Sequence, residues 1–221
     1  MNDPHDPLPL AAQLPTHRLS LPRPVPLIAR TALVSAVVLF GAYSMRRALV
    51  EPLLPLVAAS MSWLDGNFQV LGVDIAHNGP NEVVRVKANL AHPVYVGTHQ
   101  VKPFATVPRL AGWYQINLPV AYIFAHCLLV LIIILAWPVS RPAIYAIRMC
   151  AALPMMALLL LIDVPVTILA ELWSPLHDDF QPFAFWPLLA WSRFMMGGGG
   201  FMIAAVMGIA TLRISAATVR S

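Results

Sequence analysis

Charge is scarce in this chain of 221 residues. Asp, Glu, Lys and Arg make up 11% of it, against 59% hydrophobic residues, where soluble domains carry roughly 25% charged residues. So few charges on so short a chain exclude an ordinary soluble core, which has nowhere to hide that much apolar surface. Cysteine is scarce too: Cys127 and Cys150 are the only two, too few for a secreted disulfide scaffold. Basic runs are absent. The formal net charge of +4 comes from dispersed residues, so nucleic acid is not an expected partner. The first 26 residues hold no apolar run followed by a small-residue cleavage site, so no cleavable leader is read there.

What is abundant is long apolar sequence. Four stretches approach the 20 or so residues needed to cross a hydrocarbon core about 30 Å thick: 27–44, 118–137, 150–173 and 195–214. The expected fold is therefore a membrane all-α bundle of four transmembrane helices. A small extracytoplasmic α+β insert, 45–117, lies between the first and second. Residues 1–26 form a Pro-rich tail with seven prolines and little periodicity, expected to be extended or disordered. Residues 138–149, 174–194 and 215–221 are the remaining connections and tail.

Arginine placement sets the expected orientation. Arg18, Arg23 and Arg30 precede or open the first span, Arg141 and Arg148 lie in or beside 138–149, and Arg213 and Arg220 end the chain. None of these later stretches carries an acid, whereas 174–194 carries Asp178 and Asp179 against Arg193. By the positive-inside rule both termini and 138–149 are cytoplasmic, and the insert is outside. Arg46 and Arg47 argue the other way, but they precede a long connection, and long loops translocate largely regardless of charge.

Within the insert, Leu53, Leu56, Val57, Ser60 and Leu64 recur at helical spacing behind Pro52 and Pro55, as a helix with proline in its first turn does. After Asp65-Gly66 the period becomes two. Leu71, Val73 and Ile75 alternate in one strand, and Val84, Val86, Ala88 and Leu90 in the next, with His77–Asn81 as turn chemistry between them. Val94–Thr98 reads as a third strand and Phe104–Val107 as a weaker fourth. A three- or four-stranded antiparallel sheet over one helix is expected, too small to stand alone. Its edge either binds an extended peptide or is protected by Pro93, Pro103 or Pro108.

Ionisable residues inside spans are costly and normally partnered. Asp163 lies about 15 Å, and His126 about 12 Å, from the outer end of their spans at 1.5 Å per residue. Tyr122 shares the face of His126 at i−4, and Thr167 and Glu171 follow Asp163 at i+4 and i+8. These five are the candidate intramembrane polar cluster, with Pro165 expected to kink the helix beside it. They serve as a structural tie between helices, as a proton relay or ligand site, or leave Asp163 protonated and shielded.

No catalytic constellation accompanies them. His126 and Cys127 are adjacent and point about 100° apart on a helix, so this imidazole does not activate this thiol. Cys150 lies at the opposite membrane face from Cys127, which excludes a disulfide. His77, His92, His99 and His177 show no ligand spacing, and the methionines are span filler, so no metal and no cofactor are expected. Gly197–Gly200 opens the last span, with no strand before it and no Lys-Ser/Thr after it for a phosphate loop. Gly200, Ala204 and Gly208 form a small-residue stripe for close helix packing in lipid. The 174–194 connection, with Trp186, Trp191, Phe180, Phe183, Phe185 and Phe194, reads as an interfacial aromatic belt or as a partner surface.

The layout of one span, a β-rich insert at Phe68–Val107, three clustered spans and a glycine run entering the last resembles the small membrane proteins associated with exosortases. Those bacterial enzymes process C-terminally tagged exported proteins, using a Cys with Arg and His partners at the outer face. This chain has no extracytoplasmic Cys, so the resemblance implies the companion, not the protease. It also implies a bacterial inner membrane, with the insert in the periplasm. The expected function is a non-catalytic accessory or scaffold subunit of an inner-membrane complex. The expected partners are the bilayer and either a membrane protein or further copies of the chain. A small oligomeric transporter or proton-linked component using Asp163, His126 and Glu171 is the alternative.

Overall fold

A computed structural model describes residues 24–104, 112–139, 141–182 and 184–218. Thus most of the 1–26 tail, Arg220, Phe183 and Ala105–Val107 of the weaker fourth strand lie outside the described residues. In chain order the elements are α1 (Pro24–Val50), a 3-10 turn (Glu51–Leu53), α2 (Leu54–Leu64), β1 (Phe68–Asn78), β2 (Asn81–Leu90), β3 (Val94–Val96), β4 (His99–Val101) and β5 (Tyr114–Pro119). Helices α3 (Val120–Ala136), α4 (Ala143–Phe180) and α5 (Pro187–Phe194) follow. A π-helical turn (Met195–Gly199) then leads into α6 (Gly200–Thr218).

Three stretches are long and apolar enough to cross a membrane: Val25–Leu64, Ala143–Phe180 and Pro187–Ala217. The second expected span is the shorter apolar helix α3, of 17 residues, at the lower limit of about 17–25 for a spanning helix. Between Val25 and Leu49 no residue of α1 is buried, so this helix leans on the bundle with most of its surface free.

β1, β2 and β5 form one antiparallel sheet in that order. The first hairpin pairs Phe68 with Leu90 through to Asn78 with Asn81, with a bulge between Val70 and Gly72. Its two-residue turn places Gly79 at φ +60°, the conformation a primed hairpin turn demands and glycine supplies. The third strand corrects the expectation. Val94–Val96 pairs with His99–Val101 in a separate small hairpin, and Phe104 belongs to no strand. The sheet is completed by β5, with Val86 opposite Ile116 and Val84 opposite Leu118. β5 runs directly into α3, so the sheet is sewn to the bundle with no linker.

The long α4 carries Pro154, Pro165 and Pro175 in its interior and extends beyond the 150–173 span at both ends. Its last turns leave the bundle and pass under the sheet. One continuous core joins Phe68, Val86 and Leu90 of the sheet to Ile168, Leu172 and Leu176 of α4. Phe68 packs edge-on against Trp173 at 5.1 Å, Trp173 against Trp186 at 5.1 Å, and Trp173 Nε1 donates to Asp65 Oδ2 at 2.7 Å. The insert rests on this extension, as its small size requires. A second core, of Cys127, Val130, Ile134, Ala152, Met156 and Ala204, lies between α3, α4 and α6.

Candidate functional site

Three helices converge on Asp163. It sits on α4 at 2% exposure, facing His126 of α3 at 3%. Tyr122 Oη donates to Asp163 Oδ2 at 3.2 Å, and Thr167 Oγ1 donates to Oδ1 at 3.4 Å, from one turn along the same helix. His126 Nδ1 lies 3.6 Å from Oδ2, within ion-pair reach and beyond a well-formed hydrogen bond. Four of the five residues singled out by spacing therefore meet, and each carboxylate oxygen accepts from a hydroxyl. This placement meets the demand that a buried charge or polar group be partnered. Glu171 is the exception: it lies two turns from Asp163 and accepts instead from Ser192 Oγ at 3.4 Å.

The third helix, α6, contributes by what it lacks. A Cβ placed on Gly200 would run into the His126 imidazole. Phe201 packs edge-on against the same ring at 5.3 Å, and so does Tyr122, also at 5.3 Å. The expected stripe of Gly200, Ala204 and Gly208 is buried in the bundle and continues through Thr211 and Ser215, both 1% exposed or less. A Cβ on Gly208 would reach Ile133 of α3 at 2.9 Å. The π turn just before the stripe holds Gly198 at φ +109°. Such turns insert one residue into a helix, often at functional positions. Here it swings α5 away from the axis of α6.

Two arginines that sequence reasoning took only as topological charges have a structural task. Arg148, 6% exposed, donates to the carbonyls of Ile134 and Trp137 at 3.1 and 2.9 Å and to Ser215 Oγ at 3.3 Å. Arg30 of α1 donates to Leu135 O at 3.2 Å and to Tyr145 Oη. Both guanidinium groups cap the carbonyl end of α3, where the last turn has no intrahelical donors and the helix dipole favours cations. No motif flags this; the signal is an arginine at each expected membrane boundary opposite a helix end. These contacts also gather the start of α1, the end of α3, the start of α4 and the end of α6 at one end of the bundle. The sheet lies at the other.

The thiols stay apart. Cys127 is buried and Cys150 exposed, both free, and Cys127 Sγ faces the Met156 carbonyl at 4.0 Å. Among the described residues no group of three His, Cys, Asp or Glu side chains is placed to hold a metal ion. The other histidines are dispersed: His77 lies 3.7 Å from Glu82, His99 stacks on Phe180 at 5.0 Å, and His177 of α4 lies tilted against Trp186 at 4.0 Å.

Cavities open elsewhere. One, of about 770 Å³, lies where the insert meets α4, between Asp65, His92, Tyr95, Trp173 and Trp186. A groove of about 610 Å³ runs between α1 and α3. Smaller ones, of about 190 and 90 Å³, lie under α2 and beside His177. Neither Asp163 nor His126 lines any of these four.

No protein-family model, no curated protein and no solved structure matches the chain. The exosortase-associated resemblance accordingly rests on sequence layout alone.

Proposed function

We propose that this chain is a four-span, non-catalytic accessory subunit that scaffolds a complex in a bacterial inner membrane. Both termini are cytoplasmic and the insert is periplasmic. The observation that carries this reading is the enclosure of Asp163. Its carboxylate is ringed by Tyr122, Thr167 and His126 and lines none of the described cavities, which is how a tie between helices is built. Support also comes from α1, whose apolar surface between Val25 and Leu49 is nowhere buried. A scaffold needs a free face of that kind. By the resemblance, the partner is a membrane-embedded processing enzyme of the exosortase kind.

One observation favours a second reading, a proton-linked component: an acid and an imidazole stand 3.6 Å apart inside an apolar bundle. A single substitution separates the two. In the scaffold, Asp163→Asn keeps one acceptor and puts an amide donor in place of the other, costs about 1 kcal/mol on typical interhelical values, and leaves partner recovery from native membranes unchanged. In the proton-linked component the same variant accumulates normally and loses all activity of the complex. Recovery of the full-length chain with no stoichiometric membrane partner would end the scaffold reading.

A further inference from the structure

The groove between α1 and α3 differs from the other cavities in having an apolar length and a charged end. Leu39 and Ala42 of α1 face Phe124, Leu128 and Ile132 of α3 along it, with Phe201 of α6 also in its wall. On α3 its lining runs from Val120 to Ile132, thirteen residues and so about 18 Å end to end at 1.5 Å rise per residue. That is close to the roughly 15 Å of one leaflet's share of the hydrocarbon core. The β1–β2 turn, Pro80–Glu82, bounds the groove at its sheet end. There Arg46 Nε donates to Glu82 Oε2 at 2.6 Å, and Arg46 Nη1 donates to the Tyr43 carbonyl. The Arg46 guanidinium also lies 4.3 Å from the centre of the Tyr43 ring.

We propose that this groove binds one acyl chain of a zwitterionic glycerophospholipid, whose head group is read by the Arg46–Glu82 pair. The length fits an acyl chain from one leaflet, whereas a crossing partner helix, about 10 Å wide, meets the β1–β2 turn. The charge chooses the head group. Arg46 and Glu82 offer one positive and one negative group side by side. A phosphate set against Arg46 brings a head-group ammonium to Glu82, and every charge is matched. An anionic head group without an amine can also set its phosphate against Arg46, but it brings nothing to Glu82, whose carboxylate then stands beside the phosphate with no cation of the head group to offset it. Tyr43, 67% exposed, occupies the interfacial position that tyrosine favours at the head-group level. The proposal rests on the membrane placement above and is independent of the scaffold role.

The test reconstitutes the full-length chain in vesicles of equal parts phosphatidylethanolamine and phosphatidylglycerol with matched acyl chains. It then counts the lipids retained per chain by native mass spectrometry. One lipid per chain is expected, with phosphatidylethanolamine enriched roughly fivefold, equivalent to about 1 kcal/mol. Ala121→Trp or Ala42→Leu fills the part of the groove it borders and abolishes retention of both lipids at unchanged helical content. Glu82→Gln leaves Arg46 unmatched and inverts the preference toward phosphatidylglycerol, and this outcome decides the matter even if a groove-filled variant fails to fold. Equal retention of the two lipids, retention undiminished in the filled variants, an unchanged preference in Glu82→Gln, or a second copy of the chain in the groove overturns the proposal. A chain that does not enter the vesicles at all instead defeats the membrane placement.

Discussion

His126 has room beside α6 because residue 200 has no side chain, and that makes the two residues one structural unit. Gly200→Ala forces the imidazole away from Asp163 and breaks a buried polar contact. In a His126→Ala background the added methyl meets no ring, so the two substitutions are expected to be non-additive by about 0.5–3 kcal/mol. A double-mutant cycle of thermal stability in detergent measures this, and strict additivity would mean that α6 does not press on His126. Outside the bundle, Glu82 is the titratable residue whose environment is most telling. The hydrogen bond from Arg46 holds its carboxyl below the ordinary value, aided by the charges of Arg46, His77 and Arg47 and opposed by burial. A depressed carboxyl pKa stabilises the fold above the unfolded value, about 4.3, and that contribution is lost as pH falls through the folded value. The difference in melting temperature between the protein and Glu82→Gln is therefore expected to be constant near neutrality and to shrink only below pH about 4.3.

At the scale of elements, α3 shows how a barely sufficient helix is secured. Its carbonyl end is held by Arg148 from α4 and Arg30 from α1, so α3 ends on two other helices rather than in water. Arg148→Met leaves the Ile134 and Trp137 carbonyls without their donor at a buried site and is expected to cost about 1–3 kcal/mol. Arg148→Lys restores part of this, since an ammonium keeps the charge and loses the planar fork. Equal stability of the Met and Lys variants would show that a charge alone does nothing there. Arg148 and Arg30 also mark where sequence reading stops. The apolar runs, the alternation in β1 and β2 and the i+4 spacing of Tyr122–His126 and Asp163–Thr167 are local patterns, and a local period is legible in a chain. A contact between Arg148 and a carbonyl fourteen residues away has no period. β5 was hidden for a different reason: Tyr114, Ile116 and Leu118 alternate with Gln115 and Asn117, but the strand runs straight into the apolar α3 and merges with it. Val94–Val96 has strand composition, and Gly97 at φ +60° turns it back on His99–Val101 instead. Glu171 shares its spacing with Asp163, yet two turns of α4 carry it to Ser192 on α5, a helix whose course depends on the π turn at Met195–Gly199.

For the whole molecule, the arrangement is a bundle with two unlike ends. One end gathers Arg30, Arg148 and the Ser215 turn of α6 around the end of α3. The other carries the sheet on the protruding turns of α4. If the bundle spans the membrane, the insert and the Asp178–Asp179 region lie on one side and the Arg148 end on the other, because α3 and α4 each run from one end to the other. Reporter fusions test this directly. An enzyme active only outside the cytoplasm is expected to work when fused after Asn89 or Asp179 and to fail after Arg148 or Thr218. The positive-inside rule supplies the sign, and the fold supplies the grouping of sites. Activity after Arg148 and Thr218 with silence after Asn89 and Asp179 would reverse the orientation and leave the proposed four-span arrangement standing. Activity at Asn89 but not at Asp179 would break the grouping itself. In that case α4 would not carry the insert and the Asp178–Asp179 turn on the same side, and the shared core of Phe68, Trp173 and Leu176 would not exist in the membrane.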